Sequence, residues 1–291
     1  MSNNRVTSNT TLTPSDVANA LRGMDRTTAS GFGGWTVSLL RLVCGVLPIS
    51  LGSSDNQGTG NKKPGLLMIT RYIQVMMNNT CPEKFFTLCA RLIPLAKGEF
   101  DVRPIACGSL ITRLAGKAAI VVSGIQRHAS TATNPPPPSA ACDLPILSPT
   151  QWGVGVGAEV PIHYMRELIS SGICKSKIKL DGVSAFNEVS RAAILREVYQ
   201  HCPQIFNFIK FRYGPSSNLF MSNTMGDLVT ISSREGTQQG DPLGGFLMSL
   251  VLAKHLRRLQ EEFPDLSILS YLDDVFVFSR KPGAEGLAQL G

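Results

Sequence analysis

The chain has 291 residues and 43% hydrophobic content, which is ample for a buried core in one large domain or two smaller ones. Its 28 Lys and Arg residues outnumber its 21 Asp and Glu residues, and the resulting net charge of +7 favours a polyanionic partner. The sequence has no apolar run of membrane-spanning length, no signal peptide and no C-x-x-C pair among its seven cysteines, so we expect an intracellular protein without disulfides, zinc or a membrane span.

The first part of the chain predicts helices separated by polar loops. Residues 1–12 are rich in Asn, Thr and Ser and are expected to be disordered. Residues 52–65 are nearly all Gly, Asn, Ser, Asp and Lys, which predicts an exposed loop. Apolar residues at helical spacing predict three helices, at 13–24, 35–47 and 66–78.

The next segment predicts a β-hairpin with a basic tip. Strand-forming residues on both sides of a short polar turn indicate the hairpin over 90–105, and Lys97 and Arg103 lie close to that turn. A helix is predicted over 109–126. The segment 129–149 contains four consecutive prolines, which excludes it from a sheet interior and predicts a stiff inserted loop.

The remainder of the chain alternates helices and strands. Asp241 is the expected N-cap of a long helix, with Pro242 at its first position. The predicted helices lie at 157–169, 183–200, 203–212 and 241–263. The predicted strands lie at 177–181, on both sides of 226–227, and at 266–270 and 275–278.

Three carboxylates stand at the ends of these strands. Asp181 ends the strand at 177–181, and the adjacent pair Asp273 and Asp274 occupies the tip of the last hairpin. An Asp pair in a turn is, by itself, most often a solvated loop. If the Asp181 strand lies beside the hairpin in one antiparallel sheet, however, all three carboxylates can converge on a two-metal site of the kind used in phosphoryl transfer. Such ions activate a 3′-hydroxyl and stabilise charge on the transferred phosphate.

The order of the motifs resembles a reverse transcriptase. The motifs are Lys97, Arg103-Pro104-Ile105, Gln151-x-Gly153, Leu180-Asp181-x-x-x-Ala185-Phe186-Asn187, Gln239-Gly240-Asp241-Pro242-Leu243 and Tyr271-x-Asp273-Asp274. The sequence at 103–106 and 153–155 is most similar to that of non-LTR retrotransposons, notably the site-specific group that carries a restriction-enzyme-like endonuclease. The resemblance covers residues 13–291.

The resemblance implies an α+β fold of the polymerase right-hand type, with an antiparallel-sheet palm and fingers. Residues 13–150 would form an N-terminal extension and the fingers, with the Pro-rich insertion near 129–149. Residues 151–291 would form the palm. Because the chain ends just after the hairpin, we expect a truncated palm and no thumb. Gly245 departs from the pattern, since the family often has proline there.

The resemblance also implies roles for single residues. Asp181, Asp273 and Asp274 would be the catalytic and metal-binding carboxylates, with Mg²⁺ as the expected cofactor and Mn²⁺ as a possible substitute. Phe186 matches the bulky residue that excludes a ribose 2′-hydroxyl. The other residues would bind the nucleotide (Lys97, Arg103, Gln239 and Gly240) or the template and primer (Gln151 and Tyr271).

These features predict an RNA-directed DNA polymerase core of a retrotransposon, which extends a primer 3′-hydroxyl with dNTPs. Its expected partners are an RNA template and a DNA primer or target DNA, with no membrane and no protein partner that the sequence identifies. An active retroelement polymerase would work in the nucleus. Two alternatives stay open: a truncated, inactive remnant that only binds nucleic acid, and the palm of an RNA-dependent RNA polymerase.

Overall fold

The computed structural model describes residues 10–46, 63–82, 84–99, 101–125, 146–147, 150–154 and 157–282. Within these ranges the chain folds into helices and two β-sheets, as the α+β prediction requires. The helices are α1 (Pro14–Arg22), α2 (Val37–Cys44), α3 (Pro64–Met77), α4 (Lys84–Leu88), α5 (Leu110–Ser123), α6 (Glu159–Ser170), α7 (Ala185–Glu188), α8 (Arg191–His201), α9 (Phe206–Tyr213, preceded by a 3-10 turn) and α10 (Gly244–Glu262). The strands are β1 (Ala90–Lys97), β2 (Asp101–Gly108), β3 (Ser176–Asp181), β4 (Ser217–Ser222), β5 (Leu228–Ser233), β6 (Leu266–Tyr271) and β7 (Asp274–Ser279).

The first sheet has the strand order β2-β1-β4-β5 and joins two hairpins. Strands β1 and β2 pair along their whole length, and so do β4 and β5. The two hairpins meet only where β1 runs parallel to β4, at Ala90 opposite Leu219 and Arg91 opposite Phe220. The two hairpins are therefore joined into one sheet only by the first residues of β1, at the base of the β1–β2 hairpin.

The second sheet has the order β3-β7-β6 and is antiparallel throughout. Asp181, the last residue of β3, lies opposite Asp274, the first residue of β7. Tyr271 also pairs with Asp274 across the hairpin, which leaves Leu272 and Asp273 as its two-residue turn. The predicted arrangement, with the Asp181 strand beside the hairpin, is confirmed.

Helices α10 and α6 cover opposite faces of this second sheet, because successive strand residues point to opposite sides. Ile268 and Val277 pack with Leu256 of α10. Leu269 and Phe278 form a separate cluster on the side of α6. The main core lies elsewhere, where α1, α2, α3, α5, α8, α9 and the first turns of α10 pack together. Packing on both faces of β6 and β7 gives the hairpin that carries Asp273 and Asp274 a rigid support, and β3, which is mostly exposed, is held by its pairing with β7.

Two predicted helices differ from the structure. The pattern at 183–200 forms two helices, α7 and α8, because the carbonyls of Phe186 and Val189 accept hydrogen bonds from the backbone of Thr237 and Gly236 instead of continuing one helix. The Ser190 side chain then caps α8. The long helix begins at Gly244 with Leu243 as its N-cap residue, and Asp241, which was the predicted N-cap, lies in the preceding loop.

Other predictions fall at the margins of the described residues. The expected disordered tail is described only from residue 10, and there Leu12 is buried and its N–H donates to the Gln74 side chain at 2.7 Å. Nearly all of the Pro-rich insertion at 129–149 and all but the end of the loop at 52–65 lie outside the described residues. None of the helices in the described ranges has both the length and the apolar character that crossing a membrane would require.

Candidate active site

A cavity of about 590 Å³ opens between the two sheets and collects residues that are far apart in the sequence. The second sheet contributes Asp181 and Asp273, and the loop before α10 contributes Gln239 and Gly240. The β1–β2 hairpin and α7 supply three further predicted residues, Lys97, Arg103 and Phe186. Seven of the ten residues predicted from the sequence therefore line one cavity.

Asp181 and Asp273 line one wall of the cavity, and Asp274 lies beside them at the end of the second sheet; we call these three residues the carboxylate wall. Asp274 pairs with Lys179 at 2.6 Å between Oδ1 and Nζ, and both side chains are about half exposed. The hydrogen bond to Asp274, reinforced by the charges of Asp181 and Asp273, raises the pKa of Lys179. The lysine thus supplies positive charge to a group of carboxylates that would otherwise repel one another.

In the described part of the chain, no group of three or more His, Cys, Asp or Glu side chains is arranged to hold a metal ion. The expected convergence of all three carboxylates on one site is therefore not preformed, because Asp274 is turned to Lys179. Asp181 and Asp273 remain on the cavity surface. This pair of oxygen donors fits Mg²⁺, which is usually bound through one or two carboxylates together with substrate phosphates.

The turn that carries Asp273 is held by Gln151. Leu272 has a positive φ of 56°, a conformation that costs energy in a residue with a side chain. The Gln151 amide donates to the Leu272 carbonyl and accepts from the Leu272 N–H, both at 3.1 Å. Gln151 is only 4% exposed and its side chain is engaged by the hairpin, and its contact with template or primer stays a prediction.

Gly153 completes this support. A Cβ at residue 153 would lie well inside van der Waals contact of the Leu272 backbone nitrogen, so the hairpin turn fits closely only against glycine here. The Gly153 N–H also donates to the Gln151 side chain at 2.8 Å. Tyr271 packs in the cluster of Trp152, Leu269 and Phe278, so its predicted contact with template or primer would have to come from its exposed part.

The opposite side of the cavity carries the basic residues. Lys97 forms an ion pair of 3.5 Å with Asp101 across the hairpin turn, and both side chains are more than half exposed. Arg103 lies opposite Leu95 on the neighbouring strand. An exposed pair of this kind contributes little to stability, so these cations are available to an anionic ligand.

The loop that contributes Gln239 and Gly240 is fixed to β2 through its backbone. The Ala106 N–H donates to the Gln239 carbonyl at 2.8 Å, and Ile105 and Gln239 form an isolated parallel bridge. Gly240 has a φ of 113°, and a Cβ there would lie 2.8 Å from the Ala106 carbonyl oxygen. Only glycine fits this conformation and this close approach.

The structure also reveals buried charged contacts beside the cavity that the sequence does not predict. Arg212 pairs with Asp241 at 2.6 Å, and these side chains are 5% and 3% exposed. Arg191 is buried as well, and its guanidinium donates to the carbonyls of Gly236 and Ser233. Arg212 stands between two aromatic residues in an apolar helix, which is a sequence signal for a buried charge. Nothing in the sequence identifies its partner 29 positions away.

Comparison with known proteins agrees with this geometry. A family model described as "Reverse transcriptase (RNA-dependent DNA polymerase)" matches residues 97–289, about two thirds of the chain. The chain is also similar to the retrotransposable element SLACS 132 kDa protein of Trypanosoma brucei gambiense, with 33% identity over 191 residues. That match covers 64% of this chain and only 14% of the relative.

The matched residues include all of the residues that line the cavity, from Lys97 to Asp273. The chain belongs to the reverse transcriptase (RNA-dependent DNA polymerase) family.

Proposed function

We propose that the chain forms the fingers and palm of a non-LTR retrotransposon polymerase, in which the 590 Å³ cavity is the site of nucleotide addition. The observation that carries this proposal is the meeting of seven predicted residues in one cavity. Under this assignment the second sheet with α6 and α10 is the palm, and the β1–β2 hairpin belongs to the fingers. The likeness of residues 103–106 and 153–155 to the site-specific group supports the finer assignment to elements with a restriction-enzyme-like endonuclease.

Asp181 and Asp273 would hold the divalent metal ions, with Asp274 joining them once Lys179 moves away. When bound, Mg²⁺ or Mn²⁺ would supply charge neutralisation at the transferred phosphate and at the primer 3′-hydroxyl. The contribution of the chain is to fix the carboxylates. It does so through the pairing of β3 with β7 and through the Gln151 contacts to Leu272.

The remaining residues would bind and select the nucleotide. Lys97 and Arg103 face the cavity as charged donors, which suits the triphosphate of an incoming dNTP. Phe186 is half buried on the cavity wall, where its ring would block a ribose 2′-hydroxyl. Gln239 and Gly240 would lie against the nascent base pair, since the backbone of Gly240 has no side chain in the way.

The substrates of this reaction would be an RNA template, a DNA primer or nicked target DNA, and dNTPs. The net charge of +7 supports binding of these polyanions. A retroelement polymerase of this kind would act in the nucleus.

Primer extension on an RNA template tests the proposal. The chain is assayed with a DNA primer and dNTPs in Mg²⁺ and in Mn²⁺, beside Asp273→Asn and the control Asp265→Asn. Asp265 is an exposed carboxylate just before β6, at the opposite end of the same hairpin. We expect extension by the wild type and by Asp265→Asn, and at least about a hundredfold loss in Asp273→Asn. Equal extension by wild type and Asp273→Asn would show that the catalytic assignment is wrong.

The same assay separates the rival functions. A chain that binds primer–template in a salt-sensitive manner, but incorporates nothing even in Mn²⁺, would be a binding remnant. Efficient use of rNTPs that Phe186→Ala leaves unchanged would instead indicate an RNA polymerase.

A further inference from the structure

A network of buried polar side chains holds the loop that contributes Gln239 and Gly240, and two of its members, Gln238 and Asp241, also line the cavity. We call it the buried anchor; it consists of Arg212, Tyr213, Gln238 and Asp241. Asp241 Oδ2 accepts hydrogen bonds from Arg212 Nη2 at 2.6 Å, from Arg212 Nε at 3.2 Å and from the Tyr213 hydroxyl at 2.7 Å. Its other oxygen accepts from the Leu243 N–H at 2.9 Å. Both oxygens of a buried carboxylate are thus fully engaged.

The electrostatics of the anchor keep Asp241 charged. Burial acts to raise the pKa of this carboxyl, but the charge and hydrogen bonds of Arg212 outweigh it and hold the pKa below its ordinary value of 3.8. Burial and the neighbouring carboxylate raise the pKa of Tyr213, which therefore stays a neutral hydroxyl donor. Asp241 is ionised and Tyr213 is protonated throughout the neutral range.

The anchor holds both flanks of the loop. Asp241 directly follows Gly240, and Gln238 directly precedes Gln239. The Gln238 side chain donates to Ser217 Oγ at 3.0 Å and accepts from Arg212 at 3.4 Å, while its N–H donates to the Tyr213 oxygen at 3.4 Å. Gln239 and Gly240 are therefore fixed from both sides.

The same loop is also hydrogen-bonded to α7, the helix that carries Phe186. The N–H of Thr237 donates to the Phe186 carbonyl at 2.7 Å, and the Thr237 hydroxyl donates to the same oxygen at 3.2 Å. Arg212 and Tyr213 are thus hydrogen-bonded to Gln238, and the neighbouring residue Thr237 is hydrogen-bonded to the backbone of Phe186. Movement of the loop at one end displaces the aromatic side chain at the other.

We propose that the buried anchor positions Gln239, Gly240 and Phe186 together, so that Arg212 and Tyr213, which do not line the cavity, set the choice between dNTPs and rNTPs without contacting either substrate. Arg212 and Tyr213 are positioning residues, because they lie outside the cavity lining and act only through Gln238 and Asp241, to which they donate hydrogen bonds. The proposal rests on the proposed polymerase function and on the role of Phe186 given above.

The test compares a variant that lacks one hydroxyl of the anchor with a variant that lacks the hydroxyl of a tyrosine elsewhere in the chain. Tyr213→Phe keeps the buried ring but removes the donor to Asp241; Tyr199→Phe alters an exposed tyrosine on α8 that packs against Phe206. Kinetic constants kcat and KM are measured for a dNTP and for the matching rNTP, and the melting temperature is recorded for each protein. A purely structural role would lower the melting temperature without changing the dNTP preference.

We expect Tyr213→Phe to lower the ratio of kcat/KM for dNTP over rNTP about tenfold, the equivalent of one hydrogen bond to a charged group. Tyr199→Phe should keep the wild-type ratio. A wild-type ratio in Tyr213→Phe would overturn the proposal. If the wild type incorporates no nucleotide, the proposed function fails and this inference fails with it; an active wild type with an unchanged ratio rejects the inference alone.

A second variant decides the question if Tyr213→Phe does not fold. Thr237→Val preserves the shape of the side chain and leaves the anchor intact, but removes the hydroxyl bond to Phe186. We expect a smaller fall of the ratio, about threefold, at a nearly unchanged melting temperature. An unchanged ratio in a folded Thr237→Val protein would count against the proposal, because the hydroxyl bond between the loop and Phe186 would then have no effect on nucleotide choice.

Discussion

Two ion pairs of the same length flank the cavity, and their surroundings differ. Arg212 and Asp241 lie 2.6 Å apart at 5% and 3% exposure, whereas Lys179 and Asp274 lie 2.6 Å apart at 52% and 42% exposure. A buried charge cannot lose its partner without a large penalty, while an exposed one exchanges its partner for water or an ion. The buried pair therefore fixes one wall of the cavity, and the exposed pair leaves the carboxylate wall free to take up a metal.

Breaking the buried pair should give the largest effect. Arg212→Met leaves Asp241 charged without its partner, and we expect the free energy of unfolding to fall by about 3–5 kcal/mol. Denaturant unfolding followed by circular dichroism measures the change. The double variant Arg212→Met/Asp241→Leu should recover much of the loss, because it removes the unpaired charge. An equally unstable double variant would show that the stability comes from packing and not from the pair.

Displacing the hairpin turn should mainly impair activity. In Gly153→Ala the new methyl group pushes against the Leu272 backbone, which shifts the turn that carries Asp273. We expect about a hundredfold loss of primer extension, as is usual for a displacement of about 1 Å at a reacting centre. Gly108→Ala is the control, since a Cβ at that position meets nothing within 4 Å. Full activity in Gly153→Ala would mean that the turn has more room than the structure gives it.

The buried carboxylate should also contribute to the dependence of stability on pH. Because the folded-state pKa of Asp241 lies below its ordinary value of 3.8, its contribution is present above that value and is lost as the pH falls below it. Thermal unfolding of wild type and Asp241→Asn between pH 6 and about pH 2.5 measures this contribution. We expect the stability difference between the two proteins to narrow as the solution becomes more acid. A constant difference would contradict the lowered pKa.

Removing the exposed lysine should have the smallest effect on the fold. Lys179→Gln releases Asp274 from its ion pair, and we expect no measurable change in melting temperature, together with a few-fold tighter binding of Mn²⁺ in calorimetric titration. Lys177→Gln, two residues earlier on the same strand, serves as the control. Weaker Mn²⁺ binding in Lys179→Gln would show that the lysine supports the metal site instead of competing for it.

The sequence predicts the carboxylate wall well because its signals are local. Apolar, strand-forming runs on both sides of Asp273 and Asp274 define the hairpin, and alternation of Lys with Ile and Leu defines the strand that ends on Asp181. The pairing of β3 with β7 was the condition under which these carboxylates could come together, and the structure shows that pairing.

The buried ion pair of Arg212 with Asp241 was not predictable from the sequence, because its two residues are distant from each other along the chain. Asp241 followed by Pro242 has the local pattern of a helix start, and the competing ion pair with Arg212 is formed only in the folded chain. The break between α7 and α8 was not predictable for the same reason, because the Val189 carbonyl accepts a hydrogen bond from Gly236, which is distant in the sequence. The burial of Gln151 was not predictable for a similar reason: a polar residue in a motif gives no sign that its amide is buried against Leu272.

The narrow junction between the two hairpins of the first sheet has a consequence for motion. Strand β1 pairs with β4 at Ala90 and Arg91, and β2 meets the Gln239 loop near Ile105, so the hairpin is held at its base. Its distal half, with Lys97 and Arg103, is mostly exposed on both strands. A two-stranded ribbon anchored at one end bends as a lever, because its own hydrogen bonds survive the bending. The two cations can therefore swing over the cavity as a unit, and amide hydrogen exchange should be faster near Lys97 than near Ala106.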